Sequence, residues 1–188
     1  MQMKKILSVI FGSILLTACG ATSIGGTDDN PTFYTYETSS YQIDIPDTWE
    51  IITDFDSSYT DGIEIAFKNN LKDQKFIANV SIIHERDDKS LTNADISQEK
   101  LKNNSGTLIN YNLDSQTEID LKIGSNETAT FLNRFSGKNK SDGYTFNFIQ
   151  TYLTKGNDIW IVTATNLTDE DEFVVERMEK MLTTFALK

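Results

Sequence analysis

After about Phe33, apolar residues recur at every second position through much of the chain, the period of strands with one buried face. Tyr41, Ile43 and Ile45 fall on one side of such a strand, Gln42 and Asp44 on the other, and Pro46 closes it. Trp49 with Ile51, then Ile63, Ile65 and Phe67, then Phe76, Ala78, Val80 and Ile82 predict three more strands. Ile119, Leu121 and Ile123 alternate against Glu118, Asp120 and Lys122, and Ala129, Phe131, Asn133 and Phe135 continue the period. Two longer strands complete the sheet. Tyr144, Phe146, Phe148 and Tyr152 share one face of the first, and Trp160, Val162 and Ala164 share one face of the second. They are joined through Lys155-Gly156-Asn157-Asp158, where Gly-Asn at the centre signals a type II′ or I′ hairpin.

Helical spacing occurs twice. Thr92 to Ser105 favours a helix with Asn93 as N-cap and Gly106 as its stop, although Ile96 and Leu101 form only a thin apolar stripe. Near the C-terminus, Thr168 is a candidate N-cap, with Asp169, Glu170, Asp171 and Glu172 in the first turn, where the helix dipole favours negative charge. Val174, Met178, Met181, Leu182 and Phe185 follow on one face, which should pack on the sheet over the aromatic stripes of Tyr144, Phe146, Phe148, Tyr152 and Trp160. Strands joined by hairpins, with helices that do not alternate with them, predict an α+β domain. It consists of an antiparallel sheet of about six to seven strands covered by helices.

The N-terminus has a different character. Lys4 and Lys5 precede an apolar run from Ile6 to Leu16, broken only by Ser8, Gly12 and Ser13, and Leu16-Thr17-Ala18-Cys19 follows. This is the three-part layout of a secretory signal peptide, and the run is well short of the ~20 apolar residues that a spanning helix needs. Its last four residues resemble the lipobox of bacterial lipoproteins, which implies cleavage between Ala18 and Cys19 and lipid attachment to the Cys19 thiol. Cys19 is the only cysteine, so the chain has no disulfide framework, and acylation accounts for an unpaired thiol in a secreted protein. Two acyl chains, at about 0.8 kcal/mol per buried methylene, would make a durable anchor. The expected organisation is a signal peptide over 1–18, a lipidated Cys19 with a flexible linker over 19–32, and one domain over 33–188.

Loss of Lys4 and Lys5 takes the basic residues from 17 to 15 against 28 acids, so the mature chain carries −13. Such a surface repels phosphate and lacks the basic patch that docks on anionic headgroups, which argues against nucleic-acid binding. The folded region of about 155 residues is a typical single-domain size with room for a substantial core.

Tyr41-Gln42-Ile43-Asp44-Ile45-Pro46-Asp47-Thr48-Trp49 resembles the opening of PsbP-like domains, in which an aromatic, an alternating strand, a proline and a tryptophan begin the fold. The resemblance extends from about Phe33 to Lys188 and includes a mid-chain helix, Ile123-Gly124 before a long meander, and a last helix running into Thr184-Phe185. Thr48 departs from the pattern, because a glycine often precedes that tryptophan. The resemblance implies a central antiparallel sheet covered by helices. It also implies the company of PsbP and the bacterial DcrB-type lipoproteins, which bind or assist other proteins, and it implies no catalysis.

Candidate chemistry is sparse. His84 is the only histidine, so a histidine-based triad would have to use it. Glu85, Asp87 and Asp88 follow directly and could join His84 around a hard cation, but a solvated acidic turn explains the run more simply. Asp54 and Asp56 begin like a calcium loop, yet Tyr59 stands where an EF-hand requires glycine and Asp61-Gly62 comes too late. Asn139, Ser141 and Asp142 before Gly143 form a polar hairpin loop. No phosphate-binding Gly-rich loop or Gly-x-Ser-x-Gly elbow occurs, and Asn-x-Ser/Thr triplets such as Asn126-Glu127-Thr128 are accidental in a chain rich in these residues.

The expected function is therefore non-enzymatic and cofactor-free. The chain reads as a lipid-anchored, extracytoplasmic module that engages another envelope protein through one face or edge of its sheet. The alternative is a binder of a small ligand or a divalent cation through the acidic stretches Asp54 to Asp61 or Glu85 to Asp88.

Overall fold

The computed structural model describes residues 32–55, 62–70 and 76–188. Ala18 and Cys19, and with them the signal-peptide and lipidation expectations, lie outside the described residues, as do Asp56, Tyr59 and Asp61. The chain runs β1 (Phe33–Glu37), β2 (Tyr41–Pro46), β3 (Trp49–Ile52), β4 (Ile63–Asn69), β5 (Asn79–Arg86), α1 (Asn93–Thr107), β6 (Ile109–Ile123), β7 (Asn126–Lys138), β8 (Thr145–Lys155), β9 (Asp158–Leu167), α2 (Glu172–Thr184) and β10 (Ala186–Leu187).

These strands form one sheet in the order β1-β2-β10-β6-β7-β8-β9-β5-β4-β3. Ten strands replace the expected six to seven, and the sheet is mixed: β10 pairs antiparallel with β2 but parallel with β6. The extra strands have physical reasons for being silent in the sequence. β10 has two residues and no period to detect. β1 is mostly exposed, and the first half of β6 is too polar for its alternation to register. The hairpins conform better. Lys155 pairs with Asp158 across Gly156 and Asn157, and a positive φ at Gly156 (65°) but not at Asn157 is the signature of a type II′ turn.

The central strands are buried on both faces, each face lying under a different helix. Ile149 and Leu153 of β8, Trp160, Val162 and Ala164 of β9, and Val80 and Ile82 of β5 join Val174, Met178, Met181, Leu182 and Phe185 in the principal core beneath α2. Full burial of each such side chain contributes about 1.5–3 kcal/mol, so this face dominates the stability. On the opposite face, Phe146 and Phe148 cluster with Phe76, Leu108 and Phe135, while Tyr152 packs with Ile83, Ile96, Ile159 and Ile161. The aromatic stripe of β8 therefore lies under α1, on the far side of the sheet from Trp160 and α2. Tyr144 is no part of it, because it precedes β8 and is 51% exposed. Phe76 likewise precedes β5. In β7 the alternation differs from that expected: Thr130 and Leu132 are buried, Ala129 is exposed and Phe131 only partly covered.

Helix boundaries also shift. Thr92, not Asn93, caps α1, with its hydroxyl accepting from the Asp95 N–H and the Asp95 carboxylate accepting from the Thr92 N–H, a capping box. Gly106 lies inside α1, which ends at Thr107 with Leu108 as its C-cap. At α2 the cap is Asp171, whose carboxylate accepts from the Phe173 N–H, and Thr168 is an exposed turn residue; only Glu172 of the acidic run is in the first turn. Asp171→Ala should thus lower stability by about 1 kcal/mol in urea denaturation, and Thr168→Ala by less than about 0.5 kcal/mol; the reverse order would restore Thr168 as the cap.

Candidate functional site

Strand alternation decides what becomes of His84 and its acidic neighbours. His84 pairs opposite Trp160 in the β5–β9 ladder and stacks on its ring, with centroids 4.7 Å apart and planes 11° apart. Its Nε2 lies 3.0 Å from an Asp158 carboxylate oxygen, and its Nδ1 lies 3.3 Å from a Glu64 oxygen. Both ring nitrogens thus face carboxylates that the sequence had not linked to it, on opposite sides of the ring. Glu85, next along the strand, points to the other face and pairs with Lys100 at 2.6 Å. The Asp87 carboxylate accepts from the Lys89 N–H and lies 3.5 Å from its ammonium, and Asp88 accepts from the Asn157 amide. His84, Glu85, Asp87 and Asp88 do not converge on one point. Among the described residues no group of three metal-ligating side chains is close enough to hold an ion.

The unusual assembly of polar groups lies between α1 and the sheet. At helical spacing α1 buries Asn93, Ile96, Ser97, Lys100 and Asn104, a stripe that is regular in period but polar in four of five positions. The thin apolar stripe of the sequence is thus the visible part of a wider buried face. Ser97 Oγ accepts from Asn133 Nδ2 at 2.7 Å and from Gln116 Nε2 at 3.1 Å. Asn133 Nδ2 also lies 3.3 Å from the Tyr152 hydroxyl, which donates to Gln150 Oε1, and Gln150 Nε2 donates to Thr163 Oγ1 at 2.8 Å. Asn93 spans helix and sheet, donating to the Ala129 carbonyl and accepting from the Thr154 N–H. Burial drives the Tyr152 hydroxyl far above the ordinary tyrosine range, partly offset by its hydrogen bond with Asn133. It is therefore a fixed neutral donor.

Asn133 Oδ1 is buried and receives no hydrogen bond from the described residues. Where α1 meets the end of β5, a cavity of about 300 Å³ is lined by Ile96, Lys100, Asn103, Glu85, Arg86 and Ile159 among others. The Lys100–Glu85 pair, in which the lysine is buried and the glutamate partly exposed, forms part of its wall. Asp54 is exposed in the stretch after β3. Gly143 closes a turn by donating to the Lys140 carbonyl, as expected of the β7–β8 loop. No helix among the described residues is long and apolar enough to cross a membrane. The network around Asn133 and the Glu64–His84–Asp158 set escaped the sequence because their members lie on different strands; only the 3–4 residue spacing of Asn93, Ser97, Lys100 and Asn104 could have signalled the former.

Neither a protein-family profile nor a curated protein matches the sequence. Among solved structures, the chain is similar to cyanobacterial PsbP (CyanoP) of Synechocystis sp. PCC 6803, with a TM-score of 0.60 at 14% identity over 92% of this chain and 99% of that one. It is also similar to LpqN, involved in cell envelope biogenesis of Mycobacterium tuberculosis, with a TM-score of 0.53 at 14% identity over 85% and 93% of the two chains. The fold is PsbP-like, as the opening strand, proline and tryptophan implied.

Two outcomes follow from the polar docking of α1. Glu85→Gln should cost about 2–3 kcal/mol in chemical denaturation because it strands the Lys100 ammonium, whereas Lys100→Met should cost less than about 1 kcal/mol; equal losses would show that the pair is not desolvated. The hydrogen bond from the Thr92 hydroxyl, with that from its backbone, holds Asp95 below the usual carboxylate range. A lowered folded-state pKa gives stability that is present above the unfolded value and lost as pH falls, so the protection of the first-turn amides of α1, measured against their intrinsic exchange rates, should fall below about pH 4. Asp95→Asn should remove that acid response in an exchange experiment followed by NMR.

Proposed function

We propose that the protein is a lipid-anchored, extracytoplasmic accessory module of the cell envelope that binds another protein and catalyses no reaction. The observation that carries this reading is Leu16-Thr17-Ala18-Cys19 after a charged and apolar leader, followed by a domain of PsbP-like fold. The likeness to LpqN supports a place in the envelope. Tethering confines the domain to a thin layer beside the membrane, which raises its effective concentration toward neighbours and lets modest contacts suffice. The chemistry agrees with a binding role: the His84 ring is held between the carboxylates of Glu64 and Asp158, and α1 docks on the sheet through side-chain hydrogen bonds of Asn93 and Ser97.

Mass spectrometry of the native product should find residues 1–18 removed and the Cys19 sulfur acylated. Crosslinking in intact cells should then capture an envelope protein that is lost with Cys19→Ser. A bare thiol, or capture unchanged by Cys19→Ser, would overturn the anchored reading.

A further inference from the structure

β6 has 15 residues, and on the side away from β7 only Lys122 and Ile123 have a partner strand, the short β10. From Ile109 to Leu121 that edge has no strand neighbour among the described residues. The strands at the two ends of the sheet, β1 and β3, have only 5 and 4 residues, and short edges are one means by which proteins prevent unwanted pairing. The first part of β6 carries another safeguard. Its register with β7 shifts between Ile109 and Asn112 and again between Leu113 and Ser115, and Asn110 has a φ of 55°.

Beyond Ser115 these safeguards stop. Ser115 through Ile123 pair without interruption with Arg134 through Asn126, so Ser115 to Leu121 is a strand of unbroken register whose outer edge has no strand partner among the described residues. Alternate residues of such a strand direct N–H and C=O groups outward, and Gln116, Thr117, Glu118 and Asp120 are exposed. Ile109 and Leu113, 40% and 44% exposed, add apolar surface at one end.

Charge selects the occupant. Residues 109–121 contain Asp114, Glu118 and Asp120 and no lysine or arginine. A second copy pairing antiparallel would place like charges opposite one another in every register centred from Gln116 to Ile119: Asp114 against Glu118, Asp114 against Asp120, Glu118 against itself, or Glu118 against Asp120. Like charges directly opposite destabilise a ladder, and two chains of net charge −11 repel at longer range.

We propose that the Ser115–Leu121 edge of β6 is a docking site that takes an extended, basic segment of a partner protein as an added strand. Backbone hydrogen bonds would supply affinity, and lysine or arginine at alternate positions would meet Glu118 and Asp120. The proposal rests on the accessory-module reading and specifies its contact surface.

The test is amide hydrogen exchange of the full chain, followed by NMR, with a synthetic peptide of about ten residues alternating lysine and valine. The peptide should slow exchange of the outward amides of Ser115 to Leu121 by about tenfold or more at saturation. A glutamate–valine peptide should leave them unchanged. Glu118→Lys with Asp120→Lys, both at exposed positions, should weaken binding of the lysine peptide by about tenfold or more. The same peptide N-methylated at every residue keeps its charge but has no amide N–H to donate on either edge, and should lose binding.

Equal binding by the methylated peptide, or protection confined to other strands, would overturn the proposal. So would β6 amides that are already slow in the free chain, whether independently of concentration, meaning that the chain covers its own edge, or increasingly with it, meaning that a second copy does. Since capture of a partner in cells depends on Cys19 and not on this peptide, failure of the edge and failure of the accessory role are separable.

Discussion

One constraint governs the molecule: alternate residues of the central strands must serve two interiors of different chemistry. Those of β8 and β9 beneath α2 are mostly apolar, with Thr151 and Asn166 the buried exceptions, while those beneath α1 include Gln150, Tyr152 and Thr163. Each apolar side chain buried beneath α2 is worth about 1.5–3 kcal/mol, whereas a net hydrogen bond beneath α1 is worth about 0.5–1.5 kcal/mol. Cohesion therefore comes chiefly from the α2 face. The α1 face contributes direction, because hydrogen bonds among Ser97, Asn133, Tyr152 and Gln150 have one satisfactory geometry, and sliding the helix by one residue would break several of them.

The same division explains what could be read from residues alone. Strands announced themselves where one face is apolar, as in Tyr41-Gln42-Ile43-Asp44-Ile45, and α2 did so through Val174, Met178, Met181 and Leu182. The aromatic stripe of β8 was visible as a stripe but was assigned to the wrong helix, since period two tells which residues share a face and not which helix covers it. α1 looked weak because its buried face is polar, and β10 was invisible because two residues carry no period. For candidate chemistry the limits were sharper. His84 and Glu85 are adjacent in sequence and opposed in space, while Glu64 and Asp158, which meet the His84 ring, lie 20 positions before it and 74 after it.

The structural neighbours define an architecture and leave activity to particular surfaces. The PsbP-like sheet here is closed on both faces by helices, so its unspent bonding capacity is concentrated in backbone at its margins. Most of that margin is short or irregular. The unbroken second half of β6 is where an acidic surface coincides with main chain that has no strand partner among the described residues.

β10 joins the two parts of the sheet, for Ala186 and Leu187 lie between β2, near the beginning of the fold, and β6, near its middle. Gly124 N–H donating to the Leu187 carbonyl and Lys188 N–H donating to the Ser40 carbonyl fasten both sides of this seam. A chain delivered N-terminus first, from the ribosome or through a translocation pore, presents β1 and β2 early and their link to β6 after every other described strand. The join between β2 and β6 must therefore wait for Ala186 and Leu187, however early the strands on either side of it have been made.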